Sequence, residues 1–137
     1  MEIVIANTKK EIIDHFYVRG MVFVVEQGID YEIEFDGKDV NSVLFVTYMN
    51  GQAVGAARLY QNKVGRLATI KKYRQKGVAS SLMDAIEQYA KDNRFQSLVL
   101  HAQLYVKDFY IKRGYKVEGE VFQEAGIDHI KMIKHMI

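Results

Sequence analysis

The segment Leu67-Ala68-Thr69-Ile70-Lys71-Lys72-Tyr73-Arg74-Gln75-Lys76-Gly77-Val78-Ala79-Ser80 combines residue types that suit an anionic ligand. A largely apolar strand runs into a basic turn, and the turn opens a helix. The first amides of a helix have no intrahelical acceptor, and with the helix dipole they form a ready anion site. Gly77 lets the backbone approach such a ligand closely, because no side chain stands in the way. Arg74 and Lys76 add charge-assisted donors. A plain strand-to-helix connection with solvated cations is the competing reading, since one glycine is a weak signature.

Charge is spread unevenly along the chain. Glu26, Asp30, Glu32, Glu34, Asp36 and Asp39 stand against a single cation, Lys38, whereas Lys63, Arg66, Lys71, Lys72, Arg74 and Lys76 follow one another with no acid between them. Either stretch alone reads as a solvated loop. Together they suit a protein that handles an anionic ligand and a cationic one. The net charge of +2 is too small to argue for a nucleic-acid partner. The longest apolar run, Met21 to Val25, is too short for a membrane span, and Met1-Glu2-Ile3-Val4-Ile5 lacks the features of a signal peptide. Cysteine is absent, which excludes disulfides, a thiol nucleophile and Cys-ligated zinc, and which suits a cytoplasmic location. The spacing of His15, His101, His129 and His135 predicts no metal site. Phosphate-loop, nucleophile-elbow and dinucleotide-binding glycine patterns are all missing.

The elements that must position these residues follow from local pattern. A chain of 137 residues is expected to form a single domain over 1–137. Met1 to Ala6 alternates as a strand, and Thr8-Lys9-Lys10-Glu11 is a capping box that opens a helix. Ile12, Ile13, Phe16 and Tyr17 share a face of that helix. Val43 to Met49 and Ala53 to Tyr60 read as strands joined by a tight turn at Asn50-Gly51, and Arg66 to Ile70 as a third. Val78 to Lys91 has helical spacing, Ser97 to Ala102 is a strand, and a short helix from Val106 to Lys112 stops at Gly114. Two strands follow, near Tyr115 to Phe122 and Ile130 to Met136. The order β-α-β-β-β-α-β-α-β-β predicts an α/β (α+β) fold, a mixed, mostly antiparallel sheet of six to seven strands flanked by helices.

Arg74-Gln75-Lys76-Gly77-Val78-Ala79 resembles the Arg-x-x-Gly-x-Gly/Ala pyrophosphate signature of the GNAT superfamily of N-acetyltransferases. The likeness extends over almost the whole chain. Val22-Phe23-Val24-Val25-Glu26-Gln27, His101-Ala102-Gln103, Asp108-Phe109-Tyr110 with Gly114-Tyr115, and Gly126-Ile127-Asp128-His129 are similar to the ElaA/YjcF-like branch. Gln75 and Ala79 stand where many relatives carry glycine, and Lys71-Lys72 replaces a frequent proline-containing pair. The resemblance implies acetyl-CoA as co-substrate, with Leu67, Ala68 and Thr69 pairing their backbone with the pantetheine arm. Arg74, Gln75, Lys76, Gly77, Val78, Ala79 and Ser80 would then wrap the pyrophosphate, and Gln103 would meet the cofactor arm. It further implies that Tyr110 protonates the departing thiolate; by its pattern alone that tyrosine reads as core.

An amine nucleophile has to lose a proton before it attacks, so the same resemblance calls for a base. Glu26, His101, Glu124, Asp128 and His129 are candidates, of which Glu26 and His129 lie in segments that resemble the branch pattern. The expected activity is transfer of an acetyl group to a primary amine, on a small molecule or a peptide, by direct attack in a ternary complex. Transfer of a longer acyl group and non-catalytic sensing of acyl-CoA stand beside it, and a homodimer is admitted. The acidic stretch leads to the expectation of a cationic acceptor.

Overall fold

The computed structural model describes residues 1–137. Strand β1 (Glu2–Ile5) leads to helix α1 (Lys9–Arg19), which runs directly into a π-helical turn, Gly20–Glu26. A one-turn helix α2 (Tyr31–Glu34) and a 3₁₀ turn bring the chain to β2 (Ser42–Met49), β3 (Gln52–Tyr60) and β4 (Lys63–Thr69). Helix α3 (Val78–Asp92), β5 (Ser97–Gln103), α4 (Lys107–Lys112), β6 (Lys116–Val117), β7 (Phe122–Glu124) and β8 (Ile127–His135) complete the chain. The sheet order is β1-β2-β3-β4-β5-β8-β6, with β7 paired to β8. The eighth strand arises because the stretch expected as one strand from Tyr115 to Phe122 is broken at Gly119, whose φ is +96°. No helix is long and apolar enough to cross a membrane.

All neighbours are antiparallel except β4 and β5, which run parallel and pair only at Lys63 with Val99 and Val64 with Leu100. After those two rungs the strands part. The cause is in β4 itself, where Gly65 faces Arg58 but Ala68 faces Ala56, so β4 carries one residue too many. Arg66 takes up the excess at φ +54°, a left-handed conformation that costs a non-glycine residue roughly 1–2 kcal/mol.

The two faces of the sheet are filled differently. One holds the larger core, where Leu82, Met83 and Ile86 of α3 pack on Phe45, Leu59, Leu98, Leu100 and Met132. The other is covered by α1 and the π turn, with Val18, Val22 and Phe23 against Ala56 and Ala68. Here the expected helix face is wrong: Ile13 and Tyr17 are exposed, whereas His15, Val18 and Arg19 are buried. Hydropathy assigns histidine and arginine to the surface, but both are satisfied inside. His15 Nδ1–H donates to Phe45 O (2.9 Å), and His15 Nε2 accepts from Arg19 Nη1 (3.1 Å). The capping box forms as expected, with Glu11 N donating to Thr8 Oγ1 and Thr8 N to Glu11 Oε1.

Burial lowers the pKa of His15 to about 4 from its ordinary 6.5, with the Arg19 charge adding to the effect against the hydrogen bond to Phe45. The unfolded chain therefore binds a proton that the native state refuses, and stability present above pH 6.5 is lost as pH falls toward 4. That loss should approach about 3 kcal/mol by pH 4, read as a falling urea midpoint. His15→Gln should be less stable at pH 7 and show a flatter profile; an unchanged slope would exclude His15 as its source.

Candidate active site

The parting of β4 and β5 opens a cavity of about 820 Å³. Its first wall is the β4 edge at Leu67, Ala68 and Thr69, whose former neighbour has turned away. The chain then rises through the basic turn, with Gln75 at φ +62° and Gly77 at +84°, into α3. The first intrahelical bond of α3 runs from Ser81 N to Gly77 O (3.0 Å), and no side chain caps the helix. The amides of Val78, Ala79 and Ser80 are thus left without helical acceptors at the cavity mouth, as an anion site requires.

Tyr110 enters from the side of the larger core, 6% exposed, with its ring edge-on to Phe109 and Tyr115. Burial pushes its phenol well above the usual tyrosine range, so it stays protonated at neutral pH. Its ring lines the cavity, where a proton donor can meet a leaving anion. Gln103, at the end of β5, forms a reciprocal amide pair with Gln27: Gln103 Nε2 donates to Gln27 Oε1 (3.1 Å), and Gln27 Nε2 to Gln103 Oε1 (3.4 Å).

On the opposite face of the sheet lies a titratable cluster. His101 Nδ1 is 2.9 Å from Glu124 Oε1, and His129 Nε2 is 3.7 Å from Glu124 Oε2. His129 Nδ1–H donates to Ile127 O (2.7 Å), and the Phe122 ring stacks on His129 and meets His101 edge-on. Burial works to raise the pKa of Glu124, but the His101 hydrogen bond and the charges of His101, Lys63 and His129 prevail and hold it below the usual carboxylate range. The sequence names these three residues separately, and only the pairing of β7 with β8 reveals that they form one group.

Of the residues singled out from the sequence, Leu67, Ala68, Thr69, Arg74, Gln75, Gly77, Ala79, Ser80, Gln103, Tyr110 and His129 all border this cavity. Lys76 is exposed and lies outside the lining, and the Val78 side chain is buried beneath α3. Glu26 also stands apart. Arg74 grips it through both terminal guanidinium nitrogens, Nη1 and Nη2 (2.7 and 2.5 Å), and these hydrogen bonds hold the Glu26 carboxyl below its usual range. The same arginine donates from Nε to Thr69 O (3.0 Å), so its fork braces the turn rather than standing free for a ligand.

The acidic stretch is largely neutralised. Arg19 binds Glu34 (2.8 Å) and Asp39 (2.6 Å); Arg58 binds Asp36 (2.8 Å); Arg66 reaches Glu34 (3.2 Å) and Asp36 (3.3 Å). Arg66 also donates to the backbone oxygens of Ile33 and Glu34, which holds its left-handed conformation in place. Sequence reasoning missed Arg58 and Lys63 as cavity residues because nothing in their local pattern separates them from surface strand cations.

Fold and cleft together mark a group-transfer enzyme. Residues 7–136 match the acetyltransferase (GNAT) domain, and the chain belongs to that family. It is 37% identical over 139 residues to the uncharacterized N-acetyltransferase YjcF of Bacillus subtilis, across 98% of this chain and 99% of that protein. An acyl-CoA N-acyltransferase from Pseudomonas aeruginosa superposes with a TM-score of 0.86 at 27% identity, over 97% of each chain. Escherichia coli ElaA shares the fold with a TM-score of 0.89 at 24% identity, over 98% of this chain and 100% of that one. The resemblance to the ElaA/YjcF-like branch therefore holds, as does the mixed, mostly antiparallel sheet flanked by helices.

Glu34→Ala should lower the unfolding free energy by about 3 kcal/mol or more, because it strips a carboxylate from the fully buried Arg19. Urea denaturation checks this. A loss below about 1 kcal/mol would place Glu34 with ordinary surface acids.

Proposed function

We propose that the protein transfers an acetyl group from acetyl-CoA to a primary amine by direct attack in a ternary complex. The observation that carries this reading is the arrangement at the fork where β4 and β5 part: a free strand edge, an uncapped helix N-terminus and a protonated phenol border one cavity. An aminoglycoside 6'-N-acetyltransferase complexed with coenzyme A and a GNAT acetyltransferase from Elizabethkingia anophelis with acetyl-CoA bound share the fold, with TM-scores of 0.77 and 0.74. In this reading Leu67, Ala68 and Thr69 pair with the amides of the pantetheine arm, and Gln103 meets the same arm. The backbone of the turn from Arg74 through Gln75, Lys76, Gly77 and Val78 to Ala79 and Ser80 receives the pyrophosphate. The amine nitrogen bonds to the thioester carbonyl carbon, the carbon–sulfur bond breaks, and the Tyr110 hydroxyl gives its proton to the thiolate.

The hydroxyl of Tyr110 has no hydrogen-bond partner within the protein, so its removal should leave the fold intact. Tyr110→Phe should lower kcat by ~10²-fold and leave the acetyl-CoA dissociation constant within about twofold. Thiol release under chemistry-limited conditions and calorimetry are the two measurements. Undiminished turnover would return Tyr110 to a packing role.

The acceptor end favours a different amine from the one its acidic stretch suggests. With Glu34, Asp36 and Asp39 bound to arginines, Lys38 and Lys63 line the cavity without ion-pair partners, Lys38 lying over the Tyr60 ring. Burial pulls Lys63 below the usual lysine range, and Lys38, Arg66 and Arg58 deepen the shift against the pull of Glu124. This local positive field supports an acceptor that carries a carboxylate or another anionic group beside its amine. Such an amine should show a higher kcat/KM than its neutral analogue, and Lys63→Met should shrink the ratio by about tenfold. Equal values for both amines in the parent protein would overturn the preference.

A further inference from the structure

His101 occupies a position that no other titratable residue shares. The last rung joining β4 to β5 is Val64 with Leu100, so His101 is the first residue of β5 beyond the fork, level with Gly65. Along β5, Leu98, Leu100 and Ala102 are buried toward α3, and Val99, His101 and Gln103 turn to the other face. Tyr110 belongs to the α3 side. The cavity thus has a phenol on one face of the sheet and an imidazole at the apex on the other.

The hydrogen bonds decide which imidazole nitrogen is available. A carboxylate only accepts, so the 2.9 Å contact with Glu124 Oε1 puts a proton on His101 Nδ1, and in the neutral ring the lone pair then stands on Nε2. No group of the protein bonds to that Nε2. His129 also gives its Nδ1–H away, to Ile127 O, but its Nε2 faces Glu124 Oε2 at 3.7 Å. Glu26 is held by Arg74 outside the cavity lining, and Asp128 accepts from Gln123 and also lies outside it.

We propose that His101, oriented by Glu124, is the general base that accepts the proton of the acceptor amine. This rests on the reading of the cleft as an amine acetyltransferase. As the nitrogen bonds to the carbonyl carbon, its proton passes to His101 Nε2, and the ionised Glu124 stabilises the resulting imidazolium. The thiolate released by cleavage of the carbon–sulfur bond takes the Tyr110 proton. Solvent then receives the imidazolium proton and returns one to the phenolate, which closes the balance at one amide and one thiol per turnover. Glu124 from β7 contacts His101, Lys131 stands opposite it on β8 and is itself paired with Glu118 at 3.0 Å, and the charges of His129 and Lys63 act on Glu124.

The test is the pH dependence of kcat/KM over a panel of amines, read as thiol release and run beside acetyl-CoA calorimetry. The wild type should lose activity toward acid with a slope of one proton. His101→Gln should lower kcat by about 10²-fold, replace that limb with one that moves with the pKa of each amine in the panel, and leave the acetyl-CoA affinity unchanged. Glu124→Gln keeps an acceptor oxygen but removes the charge, and should move the limb to lower pH with a smaller loss of kcat. Proton-detected nitrogen spectra of the His101 ring should show the same displacement in Glu124→Gln without any substrate, a readout that a packing role would not move. An acid limb that is the same for every amine, survives in His101→Gln and vanishes in His129→Gln would overturn the assignment. A wild type that binds acetyl-CoA yet releases no thiol with any amine would overturn the transferase reading itself, and this result is distinct because it precedes every variant.

Discussion

Two rungs of parallel pairing, and then none, set the geometry on which the cleft depends. An unbroken β4 would have zipped along β5 and filled the space with main chain. One surplus residue at Arg66 bends β4 outward, and each consequence for the site follows from that bend. It frees the strand edge at Leu67 to Thr69, leaves room beneath the start of α3, and puts His101 and Tyr110 on opposite faces of a single gap. The left-handed backbone at Arg66 is unfavourable by itself, so it persists only because the surrounding structure imposes it.

That imposition comes from the acidic stretch. Arg66 is tied to the carbonyls of Ile33 and Glu34 and to the carboxylates of Glu34 and Asp36, which are tied in turn to Arg19 and Arg58. The network spans α1, α2, β3 and β4, with the Arg19 side chain fully buried at its centre. Buried ion pairs add little net stability, because desolvation offsets attraction, but they are selective about geometry. Here the geometry they select is the kink in β4.

Local pattern carried most of the fold. The capping box at Thr8, the Asn50-Gly51 turn, the periodicity of α3 and the glycine stop at Gly114 each depend on neighbouring residues, and each is present. The segment from Leu67 to Ser80 was legible for the same reason, since strand, turn and helix start are contiguous. What could not be read depends on pairs distant in sequence. Arg19 meets Glu34, Arg74 meets Glu26 across 48 residues, and His101 meets Glu124 across 23. Hydropathy scores each of these side chains by itself, so it gives neither the buried face of α1 nor the arginine partners of the acidic stretch. Glu26 is a case in point: its motif is in place, but a guanidinium holds its carboxylate.

The reciprocal pair of Gln27 and Gln103 joins the end of the π turn to the end of β5 across the opening of the cleft. Each primary amide satisfies the other in a small cyclic dimer, and each keeps a spare donor hydrogen and a spare lone pair. Such a clasp is indifferent to pH and ionic strength, because neither member carries charge. A secondary amide that slides between the two can accept from one and donate to the other, which replaces one of the two bonds that each glutamine gives up. The mouth of the cleft is therefore held by an uncharged fastening, in contrast to the ionic grip of Arg74 on Glu26 beside it.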